Sequence, residues 1–115
     1  MSLERVLKAL VQLGLSDEDA EVYVYLAKEG PQKAERIAET LKIYEQQLTQ
    51  SLKNLQTKGI VSTTLEHPSQ FTAIPFDKAL DLLTKAHWKE TQNIKENKEE
   101  ILSQWHAMLK GKTAS

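Results

Sequence analysis

Residues 42 to 75 constrain the fold more than any other part of this chain. They predict a polar helix from Lys42 to Lys58, closed by Gly59, a residue type that readily takes the left-handed conformation after a helix. Two short runs rich in β-forming residues follow, Ile60 to Leu65 and Phe71 to Ile74, and a five-residue tip separates them. The chain must therefore adopt a fold in which an antiparallel hairpin directly follows a polar helix.

Glycine and proline divide the rest of the chain into helices. All four glycines (Gly14, Gly30, Gly59 and Gly111) stand where apolar periodicity stops, and each is predicted to end a helix. Three helices are predicted upstream: Ser2 to Leu13, a second from the N-cap Ser16 to about Lys28, and a third from Lys33 to Leu41.

A short helix, a tight turn, a polar helix and a hairpin form the skeleton of a winged helix-turn-helix. The predicted fold class is therefore mainly α with a small β-hairpin (α+β), with Leu48, Leu52 and Leu55 as the inner stripe of the polar helix. The predicted domain occupies residues 1–75.

Residues 76–115 are predicted to form a long C-terminal dimerisation helix and a short tail. The helix should run from Asp77 to Leu109, because Leu80, His87, Ile94, Ile101 and Met108 recur every seven residues. A stripe with this repeat is typical of a coiled-coil seam. Its middle is polar, so pairing is expected mainly at the two ends.

Composition excludes several functional classes. With 115 residues, 40% of them hydrophobic, the chain can bury a core. It has no cysteine and no apolar run near 18 residues, and its N-terminus does not read as a signal peptide, so a cytoplasmic protein without a membrane span is expected. No catalytic motif, cofactor loop or metal-ligand spacing is present, so we expect no enzyme, no cofactor and no metal.

The net charge of −1 does not by itself favour nucleic acid. Between Lys42 and Lys58, however, three lysines accompany only one acidic residue, Glu45, which gives a local charge of +2. Local charge governs binding to a polyanion more than the total does.

Three stretches match a known pattern in their order and spacing. They are Leu13-Gly14-Leu15-Ser16 with Ala20, Val22 and Tyr23; Gly30-Pro31 with Ile37-Ala38; and Lys58-Gly59-Ile60-Val61 with Leu52 and Leu55 before it and Phe71-Thr72-Ala73-Ile74-Pro75 and Ala79-Leu80 after it. Through them, about residues 10 to 85 resemble the winged-helix domain of the archaeal TrmB-like transcriptional regulators.

The resemblance implies a homodimeric, sequence-specific DNA-binding regulator, with Tyr44 to Lys53 as recognition helix and Glu66 to Gln70 as wing. Family members commonly carry arginines early in that helix and in the wing, whereas this chain has Glu45, Gln47, His67 and Gln70 there. Members also have a C-terminal sugar-sensing domain, but no small-molecule effector can be inferred from the residues present.

Candidate DNA contacts fall into three groups. Base or major-groove contacts are expected from Tyr44, Gln46, Gln47 and Gln50, because glutamine can bond adenine N6 and N7 together. Phosphate contacts are expected from Lys33, Lys42, Lys53 and Lys58, which flank the helix-turn-helix. In the wing, His67 and Gln70 are the candidates. For each group the alternative is an ordinary solvated surface residue.

The candidate dimer interface lies on the long helix. It comprises Leu80, Leu83, His87, Trp88, Ile94, Ile101, Trp105 and Met108. Aromatic residues on a polar helix favour burial against a partner, and the alternative is packing on the first helix of the same subunit.

The sequence therefore favours a dimeric regulator bound to double-stranded DNA. The alternative from another class is a winged helix used for protein–protein interaction without DNA binding, which the missing arginines and the sequence pI near 6.3 favour.

Overall fold

The computed structural model describes residues 3–65 and 69–113. The elements are α1 (Leu3–Gln12), α2 (Asp17–Glu29), α3 (Ala34–Leu41), α4 (Glu45–Thr57), β1 (Val61–Thr63), β2 (Phe71–Ala73), α5 (Phe76–Glu96) and α6 (Lys98–Thr113). The predicted class, mainly α with a small hairpin in a winged helix-turn-helix, is confirmed. The chain forms two compact units, Met1–Thr84 and Lys85–Ser115.

Helix α2 begins at the predicted N-cap. The Ser16 Oγ accepts a hydrogen bond from the Asp19 backbone N–H at 3.0 Å, which satisfies one of the free donors of the first turn. Three acidic residues in that turn (Asp17, Glu18 and Asp19) suit the positive end of the helix dipole.

The turn between α3 and α4 depends on one left-handed residue. Lys42 has φ 56° and ψ 48°, a conformation that non-glycine residues rarely adopt. The Ile43 N–H then donates to the Ala38 carbonyl at 3.1 Å and closes the end of α3. This reversal lets α4 begin after Tyr44, only three residues beyond the end of α3.

The core of the first unit is shared by every helix of that unit. Helix α2 packs against α1, α3, α4 and β2, so it is the central element. The predicted inner stripe of α4 is confirmed, because Leu48, Leu52 and Leu55 are all buried. The largest fully buried side chains are Tyr23, Leu10, Leu26, Ile37, Leu48, Leu55, Ile60 and Val22.

The hairpin pairs β1 with β2 in antiparallel register, with Val61 opposite Ala73 and Thr63 opposite Phe71. Gln32, in the connection before α3, forms an isolated antiparallel bridge with Phe71 through backbone hydrogen bonds of 3.0 and 2.8 Å. The hairpin is therefore bonded to the α2–α3 connection, and three residues, Lys58 to Ile60, join α4 to β1.

The first unit extends through the early part of α5. Ala79 and Leu83 are buried in its core, and Leu80 packs against it. Leu83 is only 2% exposed within one chain, so it is not available for the dimer contact predicted for it. Leu80 has part of its apolar surface covered in the same way. The predicted division of function at residue 75 stays a prediction.

The C-terminal segment contains two helices where one was predicted. Helices α5 and α6 meet at Asn97, although backbone bonds from the Asn97 N–H to Asn93 and from Ile101 to Asn97 keep the helical spacing. The Asn97 side-chain amide also donates to the Asn93 carbonyl, at 2.9 Å, and such competition with the backbone perturbs a helix. The predicted helix end at Gly111 is wrong, because α6 continues to Thr113.

Candidate nucleic-acid interface

Helix α4 presents a polar outer face to solvent. We define this outer face as Gln46, Gln47, Gln50 and Lys53, all of which are exposed. Tyr44, the N-cap residue, is 81% exposed. The leucines on the opposite side are buried, so packing in the core fixes the rotation of α4 about its own axis.

Helical geometry separates the glutamines. At about 100° per residue, Gln46, Gln50 and Lys53 lie within about 60° of one another, directly opposite the leucine stripe. Gln47 lies about 100° from Gln46, on the flank that also carries Asn54 and Ser51. The structure thus brings Gln46, Gln50 and Lys53 onto one ridge and leaves Gln47 beside it.

A polar network under this face ties α4 to the start of α2. The Ser51 Oγ donates to Glu18 Oε1 at 3.1 Å, and Asn54 Nδ2 donates to Asp19 Oδ2 at 3.5 Å. Gln50 Nε2 in turn donates to Asn54 Oδ1 at 3.0 Å. Sequence reasoning missed this network, although the spacing of Gln50 and Asn54, four residues apart on a helix, was a detectable signal.

The four candidate phosphate lysines lie at element ends or on the outer face, and all are exposed. Lys33 occupies the N-cap position of α3 and Lys42 its C-cap position. Lys53 lies on the outer face, and Lys58 occupies the C-cap position of α4. The last three share the connection from the turn through α4 to the hairpin. Lys33 lies apart from them in sequence, next to the Gln32–Phe71 bridge.

The base of the wing is closed by two hydrogen bonds between Thr64 and Gln70. The Thr64 N–H donates to the Gln70 carbonyl at 2.8 Å, and the Gln70 N–H donates to the Thr64 Oγ1 at 3.0 Å. Gln70 is half-buried at this closure. His67, the other wing candidate, lies outside the described residues.

One buried tyrosine fixes the end of the hairpin. The Tyr23 hydroxyl donates to the Ile74 carbonyl at 2.6 Å, which links the centre of α2 to the residue after β2. Burial raises the pKa of Tyr23 to about 12, and the nearby negative charge of Asp77 adds to that effect. The phenol therefore stays protonated, and the bond stays intact, at all physiological pH values.

Large apolar side chains are exposed along the second unit. Trp88 and Trp105 are 63% and 52% exposed, and Ile94, Ile101 and Met108 are exposed as well. His87 is also exposed. Six of the eight predicted interface residues are therefore exposed within one chain.

Two further findings concern residues 3–65 and 69–113 only. No helix in these ranges has the length and hydropathy needed to cross a membrane. No three histidine or acidic side chains in them are placed so that they could hold a metal ion.

Solved structures of other proteins share this fold. TrmBL2, described as an archaeal chromatin protein with a novel mode of DNA binding, is 17% identical over 97% of this chain and 44% of that one, with a TM-score of 0.70. A possible transcriptional regulator from Methanosarcina mazei Go1 is 16% identical over 87% of this chain and 88% of that chain (TM-score 0.63). The YusO protein from Bacillus subtilis is 18% identical over 96% and 83%, respectively (TM-score 0.56).

No curated protein matches the chain. A family model does: the one described as sugar-specific transcriptional regulator TrmB matches residues 10–77, from the last turn of α1 to the start of α5. That range contains the whole helix-turn-helix and the hairpin, and it confirms the resemblance drawn from the sequence motifs. The chain therefore belongs to the TrmB family of transcriptional regulators and carries its winged helix-turn-helix.

Proposed function

We propose that this protein is a homodimer that binds double-stranded DNA with sequence preference, with α4 in the major groove and the hairpin beside the backbone. The observation that carries the proposal is the outer face of α4, which is polar, exposed and held by a buried stripe on its opposite side. A face packed against the rest of its own unit could not receive a duplex. Because DNA is the proposed partner, we expect the protein to act in the cytoplasm, and as a regulator without enzymatic activity.

The side-chain amides of the outer face can form hydrogen bonds with base edges in the major groove. Gln46 and Gln50 each combine an amide donor with a carbonyl acceptor, the pattern that pairs with adenine N7 and N6. Tyr44 precedes them at the N-terminus of α4, where a phenol can donate to a phosphate or stack on a sugar. Gln47 would reach an edge of the same site from its flank.

The candidate phosphate contacts give this face a modest positive charge, and all of them are lysines. If Lys33, Lys42, Lys53 and Lys58 all contact phosphates, a dimer neutralises eight phosphates. The logarithm of the affinity should then fall with the logarithm of the salt concentration with a slope of about −7. Affinity at low salt would thus be electrostatic, and base contacts from the amides would add the preference.

The exposed apolar residues of the second unit support the proposed dimerisation. Trp88, Ile94, Ile101, Trp105 and Met108 would be covered by the same residues of a second copy, and His87 would lie at the same seam. A two-fold dimer presents two copies of α4, which predicts an operator with two related half-sites.

The test is a salt series with a lysine variant. Wild type and Lys53→Gln are titrated onto two duplexes of unrelated sequence from 50 to 300 mM salt, with Lys8→Gln as the control, since Lys8 is an exposed lysine on α1. Lys53→Gln should weaken binding to all sequences and make the slope shallower by about 2, one phosphate per subunit. The control should change neither quantity.

A slope near zero with negligible affinity at 50 mM salt would contradict DNA binding. That result would favour the alternative function, a winged helix that contacts another protein. The absence of arginines from the recognition helix supports that alternative. An equal change in Lys8→Gln would contradict the assignment of α4 as the contacting helix.

The dimer has a separate test. Light scattering should give about twice the 13.1 kDa chain mass for the wild type and a lower value for Trp105→Glu. Ser103→Glu introduces the same charge at an exposed position on the opposite side of α6 and should leave the mass unchanged. A monomeric wild type, or equal effects of the two changes, would refute the interface.

A further inference from the structure

We infer that Asp19, a residue that need not touch DNA, sets the direction in which the Gln50 amide presents its donor and acceptor. Asp19, Asn54 and Gln50 form one hydrogen-bonded line from the interior to the outer face of α4, and we call it the Asp19–Asn54–Gln50 line. This inference deepens the proposed function and rests on it, because it concerns how one base is read.

The line begins at a fixed acceptor. Asp19 is only 4% exposed, and its position is held by the first turn of α2, where its own N–H bonds Ser16. A carboxylate can accept hydrogen bonds but cannot donate them. Asn54 must therefore turn its Nδ2 toward Asp19 Oδ2, as the 3.5 Å contact has it.

The orientation of the Asn54 amide in turn determines the orientation of the Gln50 amide. Because the Asn54 Nδ2 is turned inward, its carbonyl Oδ1 faces Gln50. An oxygen can only accept, so Gln50 donates to it from Nε2, at a distance of 3.0 Å. Reversing either amide would place two oxygens against each other. An isolated glutamine has no such preference, because its two amide orientations are nearly equal in shape.

The orientation decides what Gln50 can offer a base. One N–H of Nε2 is used by Asn54, so the second N–H and Oε1 remain for a ligand. An amide N–H can donate to adenine N7 while the neighbouring amide oxygen accepts from the N6 amino group. The direction of the amide sets the order in which this donor and this acceptor lie along the groove. Asp19 is thus a positioning residue for base preference.

The neighbouring bond provides a matched control. The Ser51 Oγ donates to Glu18 Oε1 at 3.1 Å and also joins α4 to the start of α2, but it is no part of the line. Ser51→Ala should loosen the same helix pair without changing the orientation of Gln50. Asp19→Asn keeps the shape of the side chain but adds a donor, so that both orientations of Asn54 become possible.

The experiment selects duplexes from a pool with randomised positions and sequences those bound. Gln50→Ala identifies the position that Gln50 reads, as the one where the adenine preference of the wild type disappears. At that position, Asp19→Asn should lower the preference for adenine about fivefold or more, since a bidentate pair discriminates by about 5- to 150-fold. Ser51→Ala should keep it within twofold.

Overall affinity is not the readout, because Asp19→Asn also removes a negative charge and should strengthen binding to every duplex alike. Asn54→Ala breaks the line in its middle and serves as the second variant should Asp19→Asn fold poorly. It should relax the same position. Unchanged preference in a folded variant of either kind would overturn the inference.

The same experiment distinguishes a failure of the proposed DNA binding from a failure of the inference about Asp19. If the wild type selects no sequence, DNA reading is refuted for all variants alike, and the inference about base reading falls with it. If the wild type selects a sequence but Gln50→Ala leaves every position unchanged, DNA binding stands and the role of the line is refuted. Side-chain amide NMR of the free protein adds a direct check: the Gln50 resonances should shift in Asp19→Asn but not in Ser51→Ala.

Discussion

Tyr23→Phe removes one oxygen from the interior and with it the bond that holds the end of the hairpin to α2. The hydroxyl lies 2.6 Å from the Ile74 carbonyl, and Tyr23 is fully buried. Losing the donor should lower the free energy of unfolding by about 1–2 kcal/mol at pH 7, since the carbonyl is left without its partner. In a unit of this size, the melting temperature should fall by roughly 5–15 °C.

The same variant should show a distinctive dependence on pH. The pKa of Tyr23 is about 12 in the folded protein against an ordinary value of 10.0, so between these values the folded state binds more protons than the unfolded one. Stability of the wild type should therefore fall as pH rises from 10 towards 12, by up to about 2–3 kcal/mol, and Tyr23→Phe should escape that loss. The gap between the two proteins should close in this range.

Urea unfolding followed by circular dichroism at pH 7, 9, 10 and 11 measures both effects. Tyr44→Phe is the control, since Tyr44 is exposed and no buried bond depends on it; its stability should stay within about 0.5 kcal/mol of the wild type. A gap that is absent at pH 7, or constant up to pH 11, would refute the assignment of this bond.

Two further changes test the local geometry. Ser16→Ala should cost about 1 kcal/mol by removing the cap of α2, whereas Ser16→Thr should retain most of it; equal losses in thermal unfolding would refute the cap. Lys42→Gly and Lys42→Ala both remove a candidate phosphate contact and should weaken DNA binding alike. The glycine variant should nevertheless be about 1 kcal/mol more stable than the alanine variant, because only glycine takes φ 56° without strain; equal stability would contradict that reading.

The absence of arginine from the outer face changes how specificity can arise. Arginine carries its own fixed donor fork, whereas glutamine has a freely turning amide that offers either polarity. A helix that reads DNA with glutamines therefore gains from a buried group that removes this freedom. The Asp19–Asn54–Gln50 line supplies such a group within the unit that carries the outer face.

Local signals in the sequence were sufficient for most of the fold. The N-cap at Ser16 and the end of α4 at Lys58 depend on neighbouring residues alone, and the structure confirms both. The same reasoning failed at Gly111, because glycine permits a helix to end but does not force it to. It also missed Asn97, where a side chain competes with the backbone of its own helix.

The candidate interface was only partly predictable. Exposure of Gln46, Gln47 and Gln50 follows from their spacing against the buried leucines, which is a property of the helix itself. The partner of Asn54 is Asp19, which lies 35 residues earlier, and no local pattern encodes that meeting. Leu83 likewise lies beside the heptad stripe in the sequence, but in the fold it is buried in the core of the first unit.

By itself, the sequence determined the order of helices and strands as far as α5, the inner and outer sides of α4 and the family, because periodicity, caps and short motifs act over a few neighbouring residues. Tertiary structure alone decided that Tyr23 secures the hairpin, that Leu83 serves the core and that a carboxylate on α2 faces the amides of α4. Those contacts join residues far apart in sequence, and packing of the helices around α2 is what brings them within bonding distance.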